Sequence, residues 1–182
     1  MISPAIYFLL ATLLSMPLAG GAGQPNAPAA ACPDSVSRTV AFLRGNWQGE
    51  SYGITGQDTT VDATMRIRSE SRYGGCLLEE TWDAEHEGKR LFRARVLRAY
   101  DAPTRRWLVY YVDDQLNSQF YEGNHEDGHW RFIRRRMDGN TPIFVRLTWK
   151  RASAGYEQLI ERSRDGGKTW TLGGFGRFRR SG

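Results

Sequence analysis

From residue 45 onward, apolar and polar residues alternate along the chain. In the segment 61–68 every second residue is apolar, and the segments 107–111 and 143–150 repeat this period of two. Such alternation is typical of β-strands with one buried face. Turn-forming residues separate the runs, so about ten strands fit between residues 45 and 180. No helical period interrupts them, which favours antiparallel neighbours. The sequence predicts an all-β fold, an antiparallel up-and-down barrel of about ten strands.

One short helix is predicted before the first strand, in residues 34–45. Val36, Val40 and Leu43 share one face of it, Asp34 or Ser35 can cap its start, and the glycine at its end can terminate it. We expect this helix to cover one mouth of the barrel. The barrel domain is therefore predicted to span residues 34–182.

The first 33 residues carry no charged side chain, and residues 5–20 are apolar. Small residues follow at 20–22, so residues 1–22 are predicted to be a signal peptide and 23–33 a flexible start of the mature chain. The apolar run is short for a membrane span and contains Pro17. We expect a periplasmic or secreted protein without a membrane span after cleavage. An uncleaved anchor is the alternative.

In an exported protein the two cysteines, Cys32 and Cys76, would lie in an oxidising compartment. An even pair in an oxidising compartment predicts one disulfide. Closing that loop stabilises a fold by about 4 kcal/mol in the chain-entropy treatment. The alternative is that Cys32 is lipidated, although it lies well beyond the apolar run.

The chain has a net charge of +5 and carries 22 arginines against three lysines. Most arginines alternate with apolar residues, which indicates solvated strand faces, and Arg98 is counted among these. The other interpretation is an anionic partner such as lipid headgroups or acidic polysaccharide. Nucleic acid is not an expected partner of an exported protein.

Residues 125–129 read "HEDGH", the letters of a zinc-protease motif. That motif works on a helix, where both histidines point the same way. Here the flanking residues have strand character, and Asp127-Gly128 favours a type I′ hairpin turn. His125 and His129 then lie on opposite faces, so we predict a turn and no metal site.

The segment "SRDGGKTW" (163–170) resembles the Asp-box of sialidase propellers. The role of this motif is structural, because Asp165 can accept hydrogen bonds from the turn's own backbone while Trp170 covers the hairpin. A propeller needs several copies, and this chain has one. The segment predicts a stabilised hairpin tip.

Five stretches together resemble a family of exported bacterial lipocalin-like proteins, within the calycin superfamily, known as a domain of unknown function. They are "LRGNWQGE" (43–50), "GGCLLEETW" (74–82), "YDAPTRRWLVYYVDDQ" (100–115), "SRDGGKTW" (163–170) and "RFRR" (177–180), within a match over residues 40–180. The resemblance implies that Trp47 plugs the closed end. It also implies that Arg177 or Arg179 stacks on this ring.

Nitrobindin-like haem proteins share the barrel and a similar first strand, and they ligate haem through a histidine near the C-terminus. Residues 130–182 contain no histidine, so no haem or other cofactor is expected.

The leading hypothesis is a protein that binds a small apolar or amphipathic molecule, because a ten-stranded barrel has more interior than side chains readily fill. The residues expected to line the pocket or close its floor are Trp47, Glu80, Trp82, Tyr111, Trp149 and Gln158. An isomerase or hydrolase using Glu80 with Tyr111 is one alternative, although Glu80 can instead bond an inward arginine. An envelope protein that binds anionic lipid or polysaccharide through surface arginines is another.

Overall fold

The computed structural model describes residues 31–182, which form one α-helix, two short 3-10 helices, the second at Tyr73–Gly75, and ten strands. The helix α1 is Asp34–Val40, and a short 3-10 helix, Ala41–Leu43, follows it. The strands are β1 Gly45–Thr55, β2 Asp58–Arg72, β3 Leu77–His86, β4 Lys89–Asp101, β5 Arg106–Asp113, β6 Ser118–Glu126, β7 His129–Asp138, β8 Thr141–Ala152, β9 Gly155–Ser163 and β10 Thr171–Arg180.

The ten strands form a closed antiparallel barrel. Each strand pairs with its neighbours in sequence, and β1 also pairs with β10, with Trp47 opposite Arg180. This pairing leaves no strand edge exposed, which is the physical advantage of closing a meander. The predicted all-β, up-and-down barrel with one short helix is confirmed.

The helix is shorter than the sequence predicts, and its start lacks the expected side-chain cap. Neither Asp34 nor Ser35 caps it; the Pro33 carbonyl instead accepts the backbone N–H groups of Val36 and Ser37. The last predicted turn is a 3-10 turn, and Gly45 leaves it at a φ of 107°. Glycine alone adopts that backbone geometry without strain.

Two tryptophans attach the helical segment to one end of the barrel. Trp130 Nε1 donates to the Thr39 carbonyl at 3.0 Å, and Trp47 Nε1 donates to the Leu43 carbonyl at 2.9 Å. Val40 and Leu43 are buried in the same hydrophobic cluster as Trp47 and Trp130. The helix therefore closes this end, which we call the closed end.

A disulfide joins Cys32 to Cys76 with their Cα atoms 5.3 Å apart. It ties the residues before α1 to the turn that follows β2. Close approach at this junction requires glycine, because a Cβ on Gly75 would lie 2.7 Å from that of Ser37. The predicted disulfide is confirmed, and it leaves Cys32 no thiol for lipidation. A disulfide is consistent with an exported protein.

Aromatic side chains fill the closed end of the barrel. The Trp47 ring lies edge-on to Tyr156 at 4.9 Å between centroids, and Tyr156 stacks on Phe178 at 4.8 Å. The guanidinium of Arg180 lies 4.2 Å from the centre of the Trp47 ring.

The arginine on Trp47 is therefore not Arg177 or Arg179, and that expectation is wrong. Alternation gives the reason: Arg180 lies on the inward side of β10 with Phe178, whereas the odd-numbered arginines point outward. Arg177, for example, pairs with Glu157 on the outside, with Nε 3.3 Å from the carboxylate.

Both predicted hairpin tips have the expected structure. Asp127 and Gly128 have φ values of 51° and 75°, as in a type I′ turn, and His125 pairs with Trp130. In the second tip the Asp165 carboxylate accepts the backbone N–H groups of Lys168 and Thr169, both at 3.0 Å. Residues 31–182 contain no cluster of three or more potential metal ligands.

The predicted signal peptide, residues 1–22, and most of the predicted segment 23–33 lie outside the described residues. Within residues 31–182, no helix is long and apolar enough to cross a membrane.

Candidate ligand-binding cavity

The half of the barrel opposite the helix contains a cavity of about 300 Å³. Its wall is mostly apolar and aromatic because β3 to β9 each direct alternate side chains inward. The apolar and aromatic lining consists of Trp82, Phe92, Val96, Val109, Tyr111, Tyr121, Val145, Leu147, Trp149 and Ile160. The polar lining consists of Arg98, Gln119, Arg134, Arg136, Gln158 and Arg162.

Four of the residues predicted from sequence line this cavity, namely Trp82, Tyr111, Trp149 and Gln158. Glu80 is buried beside it, and Trp47 lies in the closed end, 4% exposed. Strand parity therefore brings most of the predicted residues to one space. That they bind a ligand stays a prediction.

A buried ion pair lies next to the cavity. Glu80 accepts hydrogen bonds from Arg98 Nε at 3.2 Å and Nη2 at 2.8 Å, and from Trp82 Nε1 at 2.8 Å. The side chains of Arg98 and Glu80 are 2% and 3% exposed. The charge of Glu80 is thus matched by an inward arginine, which is the alternative to a catalytic role that the sequence already offers.

Arg98 is the main residue that the sequence analysis misassigns, since the structure buries it rather than exposing it on a solvated face. Its guanidinium lies 4.4 Å from the centre of the Trp149 ring. Its Nη1 atom is buried and has no hydrogen-bond partner among residues 31–182. Strand alternation could have predicted that Arg98 is buried, because it follows Ala94 and Val96 on the inward face of β4.

Tyr111 does not form the hypothetical acid–base pair with Glu80. Its hydroxyl donates to Asp113 at 2.9 Å, while Glu80 bonds Arg98 and Trp82. Burial, followed by the hydrogen bond to Asp113, raises the pKa of Tyr111 above its ordinary value. The phenol therefore stays protonated and neutral at physiological pH.

Three inward arginines, Arg134, Arg136 and Arg162, line the open end of the cavity, and we call them the mouth arginines. No carboxylate of residues 31–182 lies within 4.0 Å of them. Arg134 lies over the Tyr121 ring at 5.2 Å, and its Nε is buried without a hydrogen-bond partner. The run of three arginines at 134–136 is visible in the sequence, but the strand parity of β7 is needed to show that Arg134 and Arg136 face inward.

The outward arginines differ from the mouth arginines, because most have a carboxylate partner. Typical pairs are Arg66 with Glu85 at 2.7 Å and Arg146 with Glu161 at 2.8 Å. The outward arginines paired in this way are Arg66, Arg68, Arg72, Arg90, Arg93, Arg95, Arg106, Arg131, Arg146, Arg164 and Arg177. The outer surface is therefore a mixed-charge lattice rather than a continuous basic stripe.

The three histidines of the chain lie away from the cavity, at the ends of β3, β6 and β7. His129 Nδ1 contacts the Asp127 carbonyl at 2.7 Å within its own turn. The cavity wall thus offers no imidazole to a metal or a haem iron.

No protein-family model matches the chain, and a search of curated proteins gives no match. Among solved structures, the fold is similar to the crystal structure of Rv2717c from M. tuberculosis, with a TM-score of 0.56 and 10% sequence identity. The match covers 84% of this chain and all of that one. At this identity the similarity shows a shared barrel fold, and the resemblance to exported lipocalin-like proteins stays a prediction.

Proposed function

We propose that this protein is an exported lipocalin-like barrel that binds a small apolar or amphipathic molecule in the cavity opposite the helix. The observation that carries the proposal is the cavity of about 300 Å³ with its apolar and aromatic wall. Ligand pockets are typically concave and mostly apolar, with a few polar groups that orient the ligand. Trp82, Tyr111, Trp149 and Gln158 are the proposed contacts.

The size of the cavity limits the ligand. At about 30 Å³ for each non-hydrogen atom, the volume of a molecule in liquid water, the cavity holds about ten such atoms. A haem is several times larger and needs an axial ligand, and the wall has no histidine. The volume therefore suits a compact single-chain or single-ring molecule better than a haem.

The proposal includes export, with residues 1–22 as the signal peptide and the barrel domain beginning at residue 34. The disulfide between Cys32 and Cys76 supports an oxidising compartment. Any ligand would then be a molecule of the periplasm or of the extracellular medium.

The two alternative functions have less support. An enzyme would need an acid available to substrate, but the Glu80 carboxylate is occupied by three hydrogen bonds. A polymer-binding surface would need unpaired outer arginines, and most of them are paired.

The test is to purify the mature protein from its native envelope and identify bound small molecules by native mass spectrometry. Leu147→Trp fills the cavity, because Leu147 lies in its wall, whereas Tyr110→Trp adds bulk on the exposed outer face. We expect a bound molecule in the wild type and in Tyr110→Trp, and none in Leu147→Trp. Overpacking costs about 1–3 kcal/mol, so thermal unfolding of both variants is measured as well. An identical ligand content in a folded Leu147→Trp protein would contradict the proposal.

A further inference from the structure

The cavity contains hydrogen-bond donors that the protein does not use. Arg98 Nη1 and Arg134 Nε are buried and have no hydrogen-bond partner among residues 31–182. A buried donor without an acceptor destabilises the folded protein, because its desolvation is not compensated. Such an arrangement is expected where a ligand supplies the missing oxygen atoms.

The two donors differ in the charge that surrounds them. The positive charge of Arg98 is already balanced by Glu80, whose carboxylate lies 2.8 Å from Nη2. An additional anion there would face that carboxylate, so Nη1 suits a neutral oxygen such as a hydroxyl or a carbonyl.

At the mouth, none of the three arginines has a carboxylate of residues 31–182 within 4.0 Å. The nearby acids have other partners: Glu161 pairs with Arg146 on the outer face, and Asp138, on the same side of β7 as Arg136, pairs with Arg164. Asp113, which ends β5, accepts hydrogen bonds from Tyr111 and Asn117. The mouth arginines therefore form a positive rim above an apolar wall, and arginine favours anionic oxygen groups.

We propose that the ligand is a small amphipathic acid with a second, neutral oxygen near its opposite end. The anionic group lies between the mouth arginines, the apolar middle contacts Val145, Leu147 and Ile160, and the neutral oxygen accepts from Arg98 Nη1. This inference rests on the proposed function, because it specifies the class of ligand in the same cavity.

The test is isothermal titration of the mature protein with octan-1-ol, octanoate and ω-hydroxyoctanoate, whose sizes match a cavity for about ten non-hydrogen atoms. We expect ω-hydroxyoctanoate to bind most tightly and octanoate about tenfold more tightly than the alcohol, equivalent to about 1.4 kcal/mol. Added salt should weaken octanoate binding and leave the alcohol unaffected.

Two variants and a matched control test whether the mouth arginines bind the anionic group of the ligand. Arg134→Gln and Arg162→Gln should each weaken octanoate binding about tenfold without changing the affinity for the alcohol. Arg135→Gln removes the same charge from the outward side of β7 and should change neither affinity. Arg162 is exposed, so its variant keeps the test valid if Arg134→Gln does not fold.

The outcomes separate the two proposals. Equal binding of octanoate and octan-1-ol, or octanoate binding that Arg134→Gln and Arg162→Gln leave unchanged, would overturn the assignment of an acid but leave a binding cavity. Octanoate binding as tightly as ω-hydroxyoctanoate would overturn the neutral oxygen at Arg98. Failure of all three compounds to bind would reject the ligand class, whereas the native mass spectrometry decides separately whether the cavity binds anything.

Discussion

Replacing Arg98 by methionine tests the buried ion pair beside the cavity. Methionine keeps a long apolar side chain against the Trp149 ring but leaves the Glu80 carboxylate buried, with Trp82 Nε1 as its remaining hydrogen-bond donor. Breaking a buried pair on one side costs about 3–5 kcal/mol, because an uncompensated charge stays in a low-dielectric interior. For a domain of this size that loss lowers the melting temperature by about 6–20 °C.

A second variant combines Glu80→Gln with Arg98→Met. Glutamine keeps an acceptor for Trp82 Nε1 and removes the charge, so the double variant should lose less stability than Arg98→Met alone. The control is Arg66→Met, since Arg66 also pairs with a glutamate but is 62% exposed, and this change should cost at most about 1 kcal/mol.

Urea unfolding followed by tryptophan fluorescence gives the free energies of unfolding of all four proteins. A loss below 1 kcal/mol in Arg98→Met, or a double variant less stable than the single one, would refute the argument. Either result would mean that Glu80 is solvated or uncharged in the folded protein.

Two further predictions concern the disulfide and the hairpin tip that contains Asp165. Replacing Cys32 and Cys76 together by serine should lower the free energy of unfolding by about 4 kcal/mol, measured by urea unfolding without reductant; an unchanged urea midpoint would show that the tether contributes nothing. Hydrogen bonds from Thr169 and Ser163 hold the pKa of Asp165 well below its usual range. A depressed folded pKa stabilises the protein fully above the unfolded value, about 3.9, and this contribution disappears as the pH falls through the folded value. The urea midpoints of wild type and Asp165→Asn should therefore differ most above pH 4 and converge in stronger acid, and a pH-independent difference would contradict the role of this carboxylate.

The resemblance noted in the sequence predicted a tryptophan plug with an arginine stacked on it, and the structure contains both. The particular arginine was wrong because β10 was read without its inward parity, which puts Arg180 rather than its neighbours over Trp47. The helix start was also misjudged, since Asp34 and Ser35 are good capping residues but the chain enters the helix from Pro33.

The sequence by itself determined the barrel and most of its wall. A period of two is a local property of a strand, so alternation alone assigns residues such as Trp82 and Trp149 to the inside, and Asp127-Gly128 sets the turn and the register of its hairpin.

Only the tertiary structure decided which charges are balanced. Glu80 and Arg98 lie on neighbouring strands but not opposite each other in register, and whether an arginine finds a carboxylate depends on the tilt and closure of all ten strands. Aromatic packing at one end likewise decides how much interior stays open at the other, because side-chain volume is summed over the whole barrel. The unpaired mouth arginines, and with them the proposed acid, therefore became apparent only when the strands were closed into a barrel.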